Sequence, residues 1–164
     1  MNSPQMEMTV TFAPAFSLGH SFWEKVNKTD RCWLWTGAVN SKGYGNFWIG
    51  STNHVVHRLS YLNSYGSIPK GKLIDHKCLN KLCIKPQHLR PATKRQNGEN
   101  RSGANKNNTS GVRGVGWHRG KWRARVTVQG KTLLVGYFDK LEDAAYAVKQ
   151  KRLELFTHNE EDKH

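Results

Sequence analysis

The sequence predicts an α+β chain of 164 residues built from two small modules. Residues 31–93 combine short aromatic, glycine-rich strands with one helical segment. Residues 110–157 contain three runs with strand periodicity and then one long amphipathic helix, which predicts a small three-stranded antiparallel sheet packed against that helix. A polar, asparagine-rich stretch at 94–109 has the composition of a basic linker and separates the two patterns.

The first module follows an irregular N-terminal arm, residues 1–30. Within the arm, Ser21 is a candidate N-cap for a short helix and Glu24 would complete a capping box. The next elements predicted are strands over 32–37 and 43–49, a helix over 54–65 that ends at Gly66, a turn at 69–71, and a short strand that reaches residue 76.

The second module has strand-like runs over 112–117, 122–128 and 132–138, joined by tight turns, and a helix over 141–156. In the middle strand Trp122, Ala124, Val126 and Val128 alternate with Arg123, Arg125 and Thr127. We expect the apolar set to face the helix and the polar set to face outward. Residues 158–164 are expected to form a tail.

The charge distribution indicates a polyanionic partner. The chain has a formal charge of +14, and residues 54–131 carry 17 Lys and Arg against two acids, Asp75 and Glu99.

No apolar run approaches the roughly 18 residues needed to cross a bilayer. The N-terminus lacks a signal-peptide pattern, and three cysteines do not make a secreted disulfide framework. We therefore expect a cytoplasmic protein with a polyanionic partner and no membrane.

A cluster of polar side chains at 75–88 carries the chemistry. Phosphodiester hydrolysis needs a water nucleophile, a proton acceptor and positive charge at the leaving oxygen. Adjacent side chains point apart on a strand, so Asp75 can face a divalent metal while His76 faces the attacking water. His88 can return across the loop as a second metal ligand, and Asn80 can orient the loop or the imidazole.

The same segment allows a different use. His76, Cys78, Cys83 and His88 could form a closed Cys2His2 zinc site, which would leave Asp75 without a task. Cys78 and Cys83 could instead be buried thiols, or could bind zinc with Cys32 or a nearby histidine. A polar loop without metal is the third alternative.

These residues resemble a known nuclease motif. Asp75-His76, Asn80 and Pro86-x-His88-Leu89 are similar to the HNH motif, the ββα-metal fold of homing and nicking endonucleases, and the lead-in around Cys32–Gly37 and His57–Tyr61 is similar to that of phage members. The resemblance covers about residues 31–100. It implies Asp75 and His88 as ligands of one catalytic Mg²⁺ or Mn²⁺, His76 as general base, Asn80 as the structural asparagine, and a product with a 3′ hydroxyl and a 5′ phosphate. Arg58 either solvates its helix or grips the scissile phosphate.

The second module resembles an AP2 domain over about residues 109–157. The segments that carry this resemblance are Ser110–Val115, Lys121–Ala124, Leu134–Phe138 and Glu142–Ala145. It implies DNA contacts from the sheet, which fall on Arg113, Trp117, Arg123 and Arg125.

Together the patterns and the two resemblances imply a phage-type, metal-dependent DNA endonuclease of the homing or nicking class, with an AP2-like domain that binds DNA. We expect it to act on double-stranded DNA in the bacterial host cell as a monomer, with no obligate protein partner. The alternative is a non-catalytic DNA-binding regulator with a zinc-stabilised N-terminal scaffold. An RNA-processing nuclease is the third interpretation, which a groove-reading sheet disfavours.

Overall fold

A computed structural model describes residues 17–163, and the chain divides into two compact units between Lys94 and Arg95. The part of the predicted arm before residue 17, and His164 of the predicted tail, lie outside the described residues.

The first unit contains three two-stranded antiparallel sheets and two helices. In order, its elements are α1 (His20–Trp23), β1 (Val26–Lys28), β2 (Trp33–Trp35), β3 (Asn46–Ile49), β4 (Thr52–Val55), α2 (Val56–Tyr65), β5 (Leu73–His76) and β6 (Leu89–Ala92). The sheets are β1–β2, β3–β4 and β5–β6. A 3-10 turn at Pro86–His88 leads into β6. The short helix α3 (Lys94–Glu99) begins at the boundary between the units.

An aromatic cluster forms the core of the first unit. The Phe22 ring lies 5.1 Å from Trp35 and 5.2 Å from Phe47. A Cβ at position 45 would overlap both the Trp35 ring and Val56, so this close approach requires Gly45. Residues of the predicted arm thus enter the core, because Phe22 is fully buried and β1 pairs with β2.

Two local predictions in this unit were wrong. The N-cap of α1 is Gly19 and not Ser21, since the helix already begins at His20. Glu24 closes no capping box, because its carboxylate contacts the His20 imidazole at 2.9 Å. The start of the helix predicted over 54–65 is instead β4, which pairs with β3, while its end at Gly66 is confirmed.

The second unit is a three-stranded antiparallel sheet packed against one long helix. The strands are β7 (Val115–His118), β8 (Lys121–Val128) and β9 (Lys131–Phe138), in that spatial order, followed by α4 (Leu141–Leu155). Both hairpin turns, Arg119-Gly120 and Gln129-Gly130, have two positive φ angles, as in type I′ turns that match the twist of the strands. The core is small and apolar: Val115, Ala124, Val126, Ala144 and Val148.

The stretches on either side of this sheet and helix are bonded to it, although the composition predicts a linker and a tail. Arg113 donates hydrogen bonds to the main-chain oxygens of Gly98, Glu99 and Arg101. The buried Arg152 of α4 pairs with the buried Asp162, which lies in a 3-10 turn at Glu161–Lys163. Residues 98–101 and 159–162 therefore belong to the second unit, because buried charges and backbone groups need these partners.

Among the described residues, no helix combines the length and the apolar character that crossing a membrane requires.

Candidate metal centre and catalytic residues

The loop between β5 and β6 is bonded to β2. Its main chain forms two hydrogen bonds with that strand, from Trp35 N to Leu82 O at 2.9 Å and from Ile84 N to Trp33 O at 2.8 Å. Residue 32 precedes β2 directly. This pairing therefore places Cys32 beside a loop that lies about 50 residues further along the chain.

Four potential metal ligands converge at this place: Cys32, Cys78, Cys83 and His88. Their ligand atoms all lie within 4.8 Å of one another. The Nδ1 atom of His88 is 3.5 Å from Cys83 Sγ and 3.7 Å from Cys32 Sγ. In a tetrahedral zinc site, bond lengths of about 2.3 Å to sulfur and about 2.0 Å to nitrogen place these ligand atoms about 3.6 Å apart. The arrangement fits a structural zinc ion.

The pKa values of the three thiols shift in different directions. A hydrogen bond between the two side chains lowers the pKa of Cys78 and raises the pKa of Cys83, and burial raises the pKa of Cys32. The thiol of Cys78 therefore loses its proton more readily than the thiols of Cys32 and Cys83. A divalent ion bound by all three sulfurs would displace those protons, which makes its affinity rise with pH.

His76 ends β5 and is fixed by the same loop. Its side chain is buried, and Nε2 lies 3.0 Å from the carbonyl oxygen of Cys83. A carbonyl oxygen only accepts, so Nε2 donates this bond and the lone pair of the neutral ring is on Nδ1. Burial lowers the pKa of His76, although the Cys83 carbonyl and the Asp75 carboxylate raise it in part. His76 is therefore held as a neutral imidazole, the form that accepts a proton.

The rings of His57 and Tyr44 pack against His76. The His57 ring lies 4.5 Å from it, edge to face, and Tyr44 is stacked at 6.1 Å. Burial, followed by the proximity of His76, lowers the pKa of His57 to about 3, so this ring is also neutral. Its Nδ1 is buried without a hydrogen-bond partner. The next residue, Arg58, is exposed on α2.

Asp75 lies on the other side of β5 and opposite Arg90 of β6. The two residues are partners in the strand register, and Arg90 Nε donates to Asp75 Oδ2 at 3.0 Å. Asp75 is buried, and Arg90 orients its carboxylate. The Asn80 amide oxygen accepts from Leu82 N at 3.0 Å, so Asn80 shapes the loop.

The sequence-predicted residues thus fall into two groups. Asp75 and His76 are neighbours on β5, as expected, whereas the Nδ1 atom of His88 faces the thiols. Of the alternatives that the sequence left open, the structure favours a site with Cys32 over the Cys2His2 set, because His76 is bonded to Cys83 O. The sequence missed Arg90, because Pro91 within Leu89–Ala92 conceals the strand that places it.

The outer face of the second unit carries the predicted arginines only in part. Arg123 and Arg125 alternate with the buried Ala124 and Val126, as expected. Trp117 lies on the opposite face, because it is the register partner of Trp122 and its ring is 4.8 Å from that ring. The register places two residues that the sequence missed, His118 and Tyr137, on the arginine face. Their rings lie 6.0 Å apart.

Arg113 also differs from the expectation of an open DNA contact. Its guanidinium is half-buried, stacks over the Phe156 ring at 5.4 Å, and bonds to three main-chain carbonyls. That Arg113 contacts DNA remains a prediction.

Comparison with known proteins shows that the segment containing this site matches a family model. Residues 54–99, which include Asp75, His76 and His88, match the family model of the HNH endonuclease. Over 68 residues the chain is 43% identical to Protein 2.8 of Escherichia phage T7 and 41% identical to Protein 7.7 of the same phage. These matches cover 40% and 42% of this chain, and 45% and 52% of the two relatives, so the chain spans about half the length of each.

A longer match extends over most of the chain. Protein 3.8 of phage T7 is 34% identical over 113 residues, which is 68% of this chain and 90% of that protein. No solved structure matches.

Proposed function

Because this chain belongs to the family of phage proteins that includes Protein 3.8, and carries an HNH endonuclease segment, we propose that it is a metal-dependent DNA endonuclease. The observation that carries the proposal is the pair at the end of β5. His76 is a buried neutral imidazole, and the adjacent Asp75 is a carboxylate held by Arg90. A base next to a metal-binding acid is the minimal set for hydrolysis of a phosphodiester.

His76 acts as the general base. The bond from Nε2 to Cys83 O leaves Nδ1 as the atom that takes the proton of the attacking water. The contacts with His57 and Tyr44 restrict the ring further. Its lowered pKa keeps it unprotonated at neutral pH, where it can work as a base.

Asp75 binds the catalytic ion, with Mg²⁺ or Mn²⁺ as the expected species. Such ions keep several waters and are commonly held by one or two carboxylates together with substrate phosphates, so a single aspartate fits. An ion held there would supply positive charge to the scissile phosphate and to the leaving oxygen. Arg90 orients the ligand, and Arg58 is exposed where it can contact a phosphate.

His88 belongs to a second, structural metal centre in this proposal. Cys32, Cys78, Cys83 and His88 would supply all four ligands of a structural zinc ion, and a zinc ion with four protein ligands has a structural and not a catalytic role. Because Cys83 also supplies the carbonyl that holds His76, zinc at this centre would fix the base indirectly.

The second unit supplies DNA affinity as an AP2-like sheet. Arg123 and Arg125 lie on its outer face near Tyr137, and arginine pairs bidentately with guanine in the major groove. Two tethered modules raise the effective concentration of each at one DNA site. A free-standing enzyme of the homing or nicking type, acting in the phage-infected cell, fits this combination.

A DNA-binding regulator is the second candidate, and the Cys3His group is the observation that favours it, since a zinc scaffold needs no catalysis. The test is incubation of the purified, zinc-loaded protein with supercoiled DNA and a genomic library. Mg²⁺ or Mn²⁺ is omitted in the control, and no chelator is used, so that the thiol-bound metal stays in place. We expect nicked or linear DNA only with the added ion. Intact DNA under every metal would support the regulator instead.

A further inference from the structure

An arginine-lined groove lies in the second unit, and of its wall residues the nuclease proposal uses only Arg125. Two cavities of about 280 and 310 Å³ share Gly98, Arg113, Thr127 and Phe156 in their walls, and so form one continuous groove. Arg101 and Arg125 line the first cavity and Arg95 lines the second.

The groove follows one edge of β8. The register of β7 with β8 runs from Val115 opposite Ala124 to His118 opposite Lys121, and Arg125 N donates to Gly114 O. Beyond that point, Thr127 lies in the wall of both cavities. A Cβ on Gly114, whose φ is +85°, would collide with Arg125 O, so this glycine keeps the chain close to β8.

The groove has an excess of positive charge. Arg113 is bonded to three main-chain carbonyls, which are neutral, and Arg101 is bonded to the neutral amide oxygen of Asn105. Burial, followed by the nearby cations of Arg101 and Arg152, lowers the pKa of Arg113. Arg152 is neutralised by Asp162.

The acid in the wall is Glu99, and it is already engaged. Its Oε2 accepts hydrogen bonds from Thr157 N and His158 N, and its Oε1 lies 3.4 Å from Arg95. Among the wall residues an anion would therefore meet several guanidinium groups and one carboxylate, that of Glu99, while Asp162 and Glu161 are near enough to raise the pKa of Arg113 in part.

We propose that this groove binds the phosphodiester backbone of a DNA strand. Arginine forms rigid, bidentate hydrogen bonds with phosphate, and a groove with cations along its length suits a polyanion with a charge at every nucleotide better than a single ion. The inference rests on the proposed action on DNA and adds a second phosphate contact surface beside the outer face of the sheet.

The experiment measures DNA affinity as a function of salt with the full-length protein. The double variant Arg95→Gln, Arg101→Gln removes two groove cations that are exposed and lie outside the sheet. The control is Lys140→Gln, Lys163→Gln, which removes the same charge from exposed positions of the same unit outside the groove walls. Lys163 has a carboxylate partner, Glu160 at 3.2 Å, comparable to Glu99 beside Arg95.

We expect the groove variant to lower the slope of log affinity against log salt by about 0.9 for each lost phosphate contact, and the control to leave the slope near wild type. Equal slopes and equal affinities in the two variants would overturn the inference. So would a groove variant that loses affinity for a polyglutamate peptide but keeps its affinity for DNA.

Cleavage separates this inference from the proposed function. The groove variant should still cut DNA at saturating protein when Mg²⁺ is present, since the residues around His76 are unchanged. A wild-type protein that shows the slope difference but cuts no DNA would keep the groove and remove the nuclease.

Discussion

The two units of this chain stabilise small cores in different ways. The first unit gathers aromatic rings around Phe22 and places three sulfurs and an imidazole nitrogen at one point. The second unit has a core of valines and alanines, and around it a network that centres on the buried pair Arg152 and Asp162. Cores of this size give only marginal stability by themselves, so each unit needs a further stabilising interaction.

Because the two units are stabilised in different ways, a different change should destabilise each of them. A metal centre stabilises through ligands that are far apart in sequence, and its loss acts on the whole unit. A buried ion pair is damaged most when one partner is removed, because the other charge stays buried and uncompensated. The two units should therefore respond to different perturbations.

The largest effect is expected from Cys83→Ser. This substitution removes a ligand at the centre of the Cys3His group, and structural zinc sites contribute about 10–16 kcal/mol of apparent binding free energy in small metal-folded peptides. We expect loss of zinc and unfolding of the first unit, while the second unit keeps its thermal transition. Calorimetry together with metal analysis measures both. A variant that binds no zinc yet keeps both thermal transitions would show that the Cys3His group does not stabilise the first unit.

Asp162→Asn should act on the other unit. It leaves Arg152 buried without its carboxylate, and we expect the free energy of unfolding of the second unit to fall by about 3–5 kcal/mol. Glu154→Gln is the matched control, because Glu154 pairs with Lys151 at the surface and such pairs contribute about 0–1 kcal/mol. Denaturant unfolding followed by a probe in the second unit distinguishes the two. Similar losses in both variants would contradict the importance of the buried pair.

Acid should reproduce part of that loss. Burial raises the pKa of Asp162, but hydrogen bonds from Arg152 and Asn159 outweigh it, so the folded-state pKa is lowered. A lowered pKa means that the stabilisation is present above the unfolded value of about 3.9 and is lost as the pH falls through the folded value. The Asp162→Asn variant should lack this component of the acid dependence.

The sequence predicted the regular elements of this chain better than its metal centre. Helices α2 and α4 and strand β8 carry clear periodicity, and the structure has them close to the expected bounds. The polar strand β4 and the proline-containing β6 lack such a pattern. The contact between Cys32 and His88 spans 56 residues and depends on the pairing of a loop with β2, which no local pattern specifies.

The smallest effect concerns the face of the second sheet. Trp117 lies on the helix side in contact with Trp122, so Trp117→Ala should cost about 0.5–1.5 kcal/mol of stability and leave DNA affinity unchanged. Arg125→Ala, on the other face, should weaken DNA binding and leave stability nearly unchanged. Fluorescence anisotropy and denaturant unfolding of both variants check the assignment. Loss of affinity in Trp117→Ala would show that the helix-side edge also contacts DNA.

The most direct test of His76 as the general base is the single-turnover rate of DNA cleavage by His76→Ala, with saturating protein and Mg²⁺. His20→Ala is the control, because His20 is an exposed histidine of the same unit with 88% of its side chain accessible. Loss of a general base should lower the rate by about 10² to 10⁴-fold, with zinc content and DNA affinity retained. A His76→Ala protein that cuts as fast as His20→Ala would contradict the assignment of the site.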